Sequence, residues 1–280
     1  MNAMNAMNDR DRIHTMSTST LDVTRHDHVA RIFLNRPDVR NAFNDGVIAE
    51  LTQAFTALSA DASLRCIVLG GHGKAFCAGA DLTWMRAMAE FDWDRNRADA
   101  AKLADMLWAV YNCPVPVVGR IHGDCFAGGV GLAAVCDVLI AADAAHFCLS
   151  EARLGLLPAT ISPYVIRALG EQAARRYFVT AERFSSTQAQ ALGFVHEVCT
   201  LETLDAKVDE VVAALVANGP MATRACKRLV QDVAGRAIDE ALRSDTARRI
   251  ADIRASAEGR EGVQAFLNKR KPNWLEAQEG

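Results

Sequence analysis

Two segments rich in small residues, KAFCAGAD at Lys74–Asp81 and HGDCFAGGVGLAAVCD at His122–Asp137, hold most of the chemical information in the chain. Each follows an apolar run that reads as a buried strand, CIVLGG at Cys66–Gly71 and PVPVVGRI at Pro114–Ile121, and each leads into residues able to start a helix. Gly and Ala at two strand-to-helix junctions allow two backbone N–H groups to approach one bound oxygen. Such a pair is an oxyanion hole, and it points to reactions at a carbonyl whose α carbon becomes carbanionic. Taken singly, either segment could equally be close helix–strand packing that needs small residues. The pairing favours the chemistry.

Positioning two such junctions needs alternating strands and helices. VARIFLN (Val29–Asn35) reads as a strand ending at Arg36-Pro37, followed by a helix near Asp45–Leu58 and the strand at Cys66–Gly70. A helix over Ala98–Tyr111 precedes a strand at Val115–Ile121, and DVLIAAD (Asp137–Asp143) and AHFCL (Ala145–Leu149) read as two more strands. This alternation predicts right-handed crossover units around a largely parallel sheet, an α/β fold. After about Thr203 the pattern is helical only. One helix ends at Gly219-Pro220, MATRACKRLVQDVAG and IDEALRSDTARRIADIRASAEG follow, and EGVQAFLNKRKPNW adds a short last helix stopped by Pro272. The expected organisation is a disordered tail over 1–18, an α/β core over 19–203 and a helical extension over 204–280. Helices of this kind need a partner surface, so self-association is expected.

A chain of 280 residues with net charge −3 and pI near 6.2 carries no electrostatic footprint for nucleic acid. No apolar stretch reaches the roughly 18–20 residues that span a bilayer, and the polar start lacks the apolar region of a signal peptide. Cys66, Cys136 and Cys148 sit in apolar strand-like runs, and no Cys/His spacing suits zinc. The eight cysteines therefore read as reduced, buried hydrophobes of a cytoplasmic protein with no metal site.

Five stretches, in order, resemble the crotonase superfamily, the enoyl-CoA hydratase/isomerase family. They are LNRPDVRNAF (Leu34–Phe43), KAFCAGADL (Lys74–Leu82), GDCFAGGVGLAAVCD (Gly123–Asp137), FCLSEARLGLLP (Phe147–Pro158) and EGVQAFLNKRKP (Glu261–Pro272). The resemblance implies a core of repeated ββα units with a helical C-terminal trimerisation region, and a homotrimer or hexamer acting on acyl-CoA thioesters. Coenzyme A would then be part of the substrate, with no separate cofactor. It also implies that the N–H groups of Ala80 and Gly128 hold the thioester oxygen. Val39 and Arg40 would lie along the CoA, Ala78 and Asp81 would pocket its adenine, and Phe266 and Lys269 would reach the CoA of a neighbouring subunit.

Hydratases of this family use two glutamates. Glu151, in FCLSEARLG, matches the second, whereas the first position holds Gly131. Glu151 follows a strand and Ser150, so it could also be a first-turn glutamate favoured by the helix dipole. The resemblance gives it the role of general acid/base at the α carbon. With Gly131 in the other slot, three readings stand: hydration by Glu151 alone, double-bond isomerisation by one base, or a replacement acid. A non-catalytic CoA-binding paralogue is a further alternative. Asp124 and His122 lie near the oxyanion segment but also suit a turn and a packed ring, and Asp137 suits a structural role at a strand start. ISPYV at Ile161–Val165 and GGVGL at Gly128–Leu132 are similar to a bacterial branch of methylglutaconyl-CoA hydratase type, acting on branched, carboxylated enoyl-CoAs. Ser162 and Tyr164 would then shape the acyl pocket, with a helix cap as the other role for Ser162.

Overall fold

The computed structural model describes residues 14–276. Eleven strands and twelve α-helices follow one another along this span. The strands are β1 (His14–Ser17), β2 (Leu21–His26), β3 (Val29–Leu34), β4 (Cys66–Gly71), β5 (Ala75–Cys77), β6 (Val117–Ile121), β7 (Asp124–Phe126), β8 (Val138–Ala142), β9 (His146–Cys148), β10 (Arg183–Ser185) and β11 (Glu197–Cys199). The helices of the α/β part are α1 (Asp45–Ser59), α2 (Leu82–Met88), α3 (Trp93–Tyr111), α4 (Gly128–Ala134), α5 (Ser162–Leu169), α6 (Glu171–Thr180) and α7 (Ser186–Ala191). From Leu204 the chain is helical: α8 (Leu204–Ala217), α9 (Pro220–Val233), α10 (Glu240–Ala255), α11 (Ala257–Leu267) and α12 (Asn273–Glu276).

Two sheets organise the first part. The larger has the order β1-β2-β3-β4-β6-β8-β11, parallel from β3 onward and antiparallel at β1-β2-β3. The smaller has the order β10-β9-β7-β5, with β5, β7 and β9 parallel. Three times the chain runs from a strand of the large sheet into a strand of the small one and then into helix: β4–β5, β6–β7 and β8–β9. These are the ββα units expected from the resemblance. Within the N-terminal segment expected to be disordered, His14–Ser17 instead forms β1 against β2; residues 1–13 lie outside the described residues.

Every residue of β4 is buried because both faces of its sheet are covered. Ile67 and Leu69 point into the main core with Leu51 and Phe55 of α1 and Met106, Leu107 and Val110 of α3. Cys66 and Val68 point the other way, onto Leu204, Val208 and Val212 of α8. This strict period of two explains why the segment reads as a continuous apolar run rather than an alternating one. Helix α1 starts where the Asn44 side chain accepts the Val47 N–H at 3.0 Å. Helix α3 begins five residues before the expected Ala98, because Asp92 caps it by accepting the Arg95 N–H at 2.9 Å. The expected long helix ending near Gly259 is divided at Ser256, whose hydroxyl accepts the Gly259 N–H at 2.9 Å and starts α11.

Candidate active site

The small sheet places the chemistry. Its three parallel strands β5, β7 and β9 lie side by side, and Ala80, Gly128 and Glu151 follow their C-terminal ends by two or three residues. Parallel strands deliver their ends to one edge, so the fold gathers residues far apart in sequence onto one rim.

At Ala80 the local pairing decides the direction of the N–H. Phe43 and Ala80 form an isolated parallel bridge, in which the Phe43 N–H bonds the Gly79 carbonyl at 2.7 Å and the Asp81 N–H bonds the Phe43 carbonyl at 2.8 Å. This pattern uses the groups on either side of Ala80 and turns its own N–H away from Phe43. Gly128 is the first residue of α4, so its N–H has no partner inside the helix. Among the described residues neither N–H donates to another protein group. The two junctions touch: Gly79 has φ +95°, and a Cβ there would stand 3.1 Å from Ala127 Cβ and 3.4 Å from the Phe126 carbonyl oxygen. Only glycine takes that backbone freely, and only its lack of a side chain permits the approach. Ala127 holds φ 48°, ψ −120°, a costly conformation for alanine that turns the chain sharply into α4.

Glu151 opens the 3₁₀ turn Glu151–Leu154, and Ser150 makes no side-chain cap. Its Oε2 is buried without a hydrogen-bond partner. Burial raises its pKa above the ordinary carboxylate value, opposed only by its own backbone N–H. A first-turn glutamate serving a helix dipole would face solvent. A buried carboxylate with one oxygen free is suited to taking and returning a proton.

The loops expected along CoA are stitched together beside this rim. The Ala78 N–H bonds the Arg40 carbonyl at 3.0 Å, and Arg40 takes a left-handed conformation after the 3₁₀ turn Pro37–Val39. Val39 and Arg40 are exposed, and Ala78 partly so. The Asp81 side chain, expected to pocket adenine, is engaged internally: it caps α2 through the Thr83 N–H at 2.7 Å and pairs with Arg36 at 2.8 Å. The Arg36 guanidinium holds its carboxyl below the usual range. The Asp81 backbone is engaged as well, the N–H on the Phe43 carbonyl and the carbonyl on the Met85 N–H, each at 2.8 Å. Phe266 and Lys269 project from the end of α11 and are exposed; α11 packs on α9 and α10, away from the three strand ends.

The residues considered as a replacement acid are placed elsewhere. Asp124 begins β7, at the opposite end from the rim, 4.0 Å from His146 Nδ1. Asp137 accepts the Val117 N–H and the Lys227 ammonium, each at 2.7 Å, tying β6 to α9. The ring nitrogens of His122 are buried, and burial reinforced by Arg120 lowers its pKa to about 4, with the Gly73 backbone opposing in part. The unfolded chain therefore takes up this proton first, and stability falls as pH drops from about 6.5 to about 4. His122→Asn is expected to flatten the pH dependence of chemical denaturation in that window by about one proton. Ser162 donates to the Ala159 carbonyl at 2.8 Å instead of capping α5, and the Tyr164 ring packs on Tyr111 at 5.2 Å.

Two structural residues were not singled out in the sequence. Arg36 links Asp81 to the Ala42 carbonyl, and buried Asn41 bonds the His72 and Ala75 carbonyls at 2.8 Å each. Asn41 has φ 55°, a left-handed conformation in which Asn is enriched. An Arg-Pro step followed by Asn is the sole sequence signal for this clamp.

The chain belongs to the enoyl-CoA hydratase/isomerase family, the crotonase superfamily, whose profile matches residues 24–277. It is 31% identical over 261 residues to 2,3-dehydroadipyl-CoA hydratase of Escherichia coli, covering 91% of this chain and 98% of the relative. It is 35% identical over 248 residues to enoyl-CoA hydratase ACTT6 of Alternaria alternata, covering 88% and 80%. Among solved structures, an enoyl-CoA hydratase from Shewanella pealeana superposes with a TM-score of 0.88 at 39% identity, covering 95% of this chain and 97% of that one.

Proposed function

We propose that this enzyme adds water across the double bond of an α,β-unsaturated acyl-CoA, with Glu151 as the one proton-transferring group. The observation that carries this reading is the buried, unpartnered Oε2 of Glu151 on the same rim as two unpaired backbone donors. The Ala80 and Gly128 N–H groups would bind the thioester oxygen. The Glu151 carboxylate takes a proton from water as the water oxygen bonds the β carbon. The π electrons move to the α carbon and carbonyl, and the enolate charge rests on the oxygen held by the two donors. Glu151 then returns its proton to the α carbon. One group performing both transfers implies addition of H and OH to the same face.

Isomerisation is the second reading, favoured by Gly131: the same carboxylate would take a proton from the α carbon of a 3-enoyl thioester and return it to the γ carbon. Crotonyl-CoA and a 3-enoyl-CoA separate the two. Hydration is expected to remove the enoyl absorbance of crotonyl-CoA; its appearance from the 3-enoyl thioester without consumption of crotonyl-CoA would reverse the assignment. Binding of CoA without either turnover would favour the non-catalytic paralogue. A branched or carboxylated acyl chain is part of the proposal, supported by ISPYV and by the dicarboxylic substrate named for the Escherichia coli relative. Methylglutaconyl-CoA tests it directly. Val39, Arg40 and Ala78 would line the CoA, with Phe266 and Lys269 reaching the CoA of a neighbouring copy in a trimer or hexamer. Exposed Leu154, Leu156, Leu157 and Val179 support self-association. All eight cysteines are free, which supports a cytoplasmic location, although Cys226 is exposed rather than buried as expected.

A further inference from the structure

Gly131 lies one turn beyond Gly128 on α4, and residues three apart on a helix share a face. A side chain beginning there would have to displace its neighbour. A Cβ on Gly131 would fall 2.1 Å from Cγ2 and 2.6 Å from Cβ of Ile161. These atoms are the root of the Ile161 side chain, and a β-branched root has little rotamer freedom with which to yield. The Ile161 backbone is also fixed. It starts α5, its carbonyl accepts the Tyr164 N–H at 3.1 Å and the Val165 N–H at 3.0 Å, and Pro163 stiffens the first turn. Ile161 is 1% exposed and belongs to the main core.

Three residues of helix rise about 4.5 Å, which would carry the wall from the carbonyl oxygen at Gly128 to the neighbourhood of the β carbon of a bound enoyl thioester. We propose that Ile161 is a specificity-determining residue of the acyl pocket: seated against Gly131, its branched side chain replaces a second acid with an apolar stop that limits bulk beside the β carbon. The inference rests on the functional reading above, in which the thioester lies across Ala80 and Gly128. It accounts for Gly131 without a substitute acid, because the volume that a glutamate stem would need is filled by hydrocarbon. It also makes the pair interdependent, since a side chain at 131 requires a smaller or differently branched residue at 161.

The test uses the full chain with Gly131→Ala, Ile161→Ala and the double variant, read in two ways. Thermal unfolding should show Gly131→Ala lowering Tm by about 3–8 °C, the size expected for overpacking in a domain of this length. In the Ile161→Ala background the same change should lower Tm clearly less, because Cγ2, the atom 2.1 Å away, is gone and only Cβ remains to shift. Kinetically, the ratio of kcat/KM for 4-methylpent-2-enoyl-CoA, with its β-isopropyl group, to that for crotonyl-CoA should rise about tenfold or more in Ile161→Ala, an amount typical of added apolar fit. Should Ile161→Ala fail to fold, Ile161→Leu keeps the volume but drops Cγ2, and it should likewise reduce the Tm loss caused by Gly131→Ala. An unchanged substrate ratio in a folded Ile161 variant, or equal Tm losses from Gly131→Ala in both backgrounds, overturns the proposal. If wild type turns over neither thioester, the functional reading fails on its own. The ratio of Kd values for the two saturated analogues in wild type and the Ile161 variant then decides the role of Ile161.

Discussion

Replacing Glu151 with glutamine is expected to lower kcat for enoyl-CoA hydration by about 10³-fold, within the range for loss of a general acid/base. The amide keeps the shape of the carboxylate but neither takes nor returns a proton, and no second acid stands at Gly131 to share the work. KM should change little, because the loops proposed to line CoA, at Val39–Arg40 and Ala78, are held to each other and not by the carboxylate. Stability provides an independent check with a definite sign. The folded-state pKa of Glu151 is raised, so the folded chain pays to ionise it while the unfolded chain does not. Its ionisation therefore subtracts stability progressively as pH rises through the unfolded and then the raised folded pKa, and the subtraction is absent at lower pH. The Tm of Glu151→Gln relative to wild type should accordingly increase from pH 4 to pH 8. In wild type, kcat/KM should decline as pH falls through the raised pKa, since the carboxylate is the form that accepts the proton. A pH-independent Tm difference, or near-normal turnover in the variant, would remove Glu151 from the mechanism.

Ala80→Pro is expected to reduce kcat/KM by about 10²–10³-fold, the usual cost of one oxyanion donor. Proline removes the Ala80 N–H and leaves the neighbouring sheet bonds in place, because the bridge to Phe43 uses the Gly79 carbonyl and the Asp81 N–H. A direct readout is the carbonyl stretch of a bound saturated acyl-CoA. Two donors on one oxygen polarise the bond, so wild type should shift the stretch to lower frequency and the variant should shift it less. A folded variant with unaltered kcat/KM would show that the Ala80 N–H does not hold the oxygen. If the variant does not fold, an unshifted stretch on wild-type enzyme leads to the same conclusion.

The strands at Val29–Leu34, Cys66–Gly71 and Val138–Ala142 were legible because five- and six-residue apolar runs bounded by turn residues have few other uses. The strands β5, β7 and β9 have three residues each and together carry the rim; β9 was legible in AHFCL, whereas β5 and β7 lie inside the small-residue segments and are too short for any period to show. Capping side chains account for most of the misplaced helix ends. Asp92 and Ser256 start helices by accepting N–H groups three residues on, while the hydrophobic pattern alone suggested a later start and a later break. Asp81 shows the same limit at the site, since nothing in KAFCAGADL says that its carboxylate is held by an arginine 45 positions earlier.

Glu151 was marked only by the resemblance carried in FCLSEARLG. The two small-residue segments could be found in the sequence because backbone donors need glycine and alanine, and such demands leave a local mark. That mark establishes the reaction class to expect: an enolate held by two N–H groups. The sequence also displayed Gly131 as an absence. Only the tertiary structure decided what the absence means, because the atoms that meet Gly131 belong to Ile161, thirty residues along the chain and just before another helix, α5. Likewise, the raised pKa of Glu151 arises from burial by segments that the local sequence does not name. Packing density and desolvation are properties of atoms brought together from distant positions, and they exist only once the chain has folded.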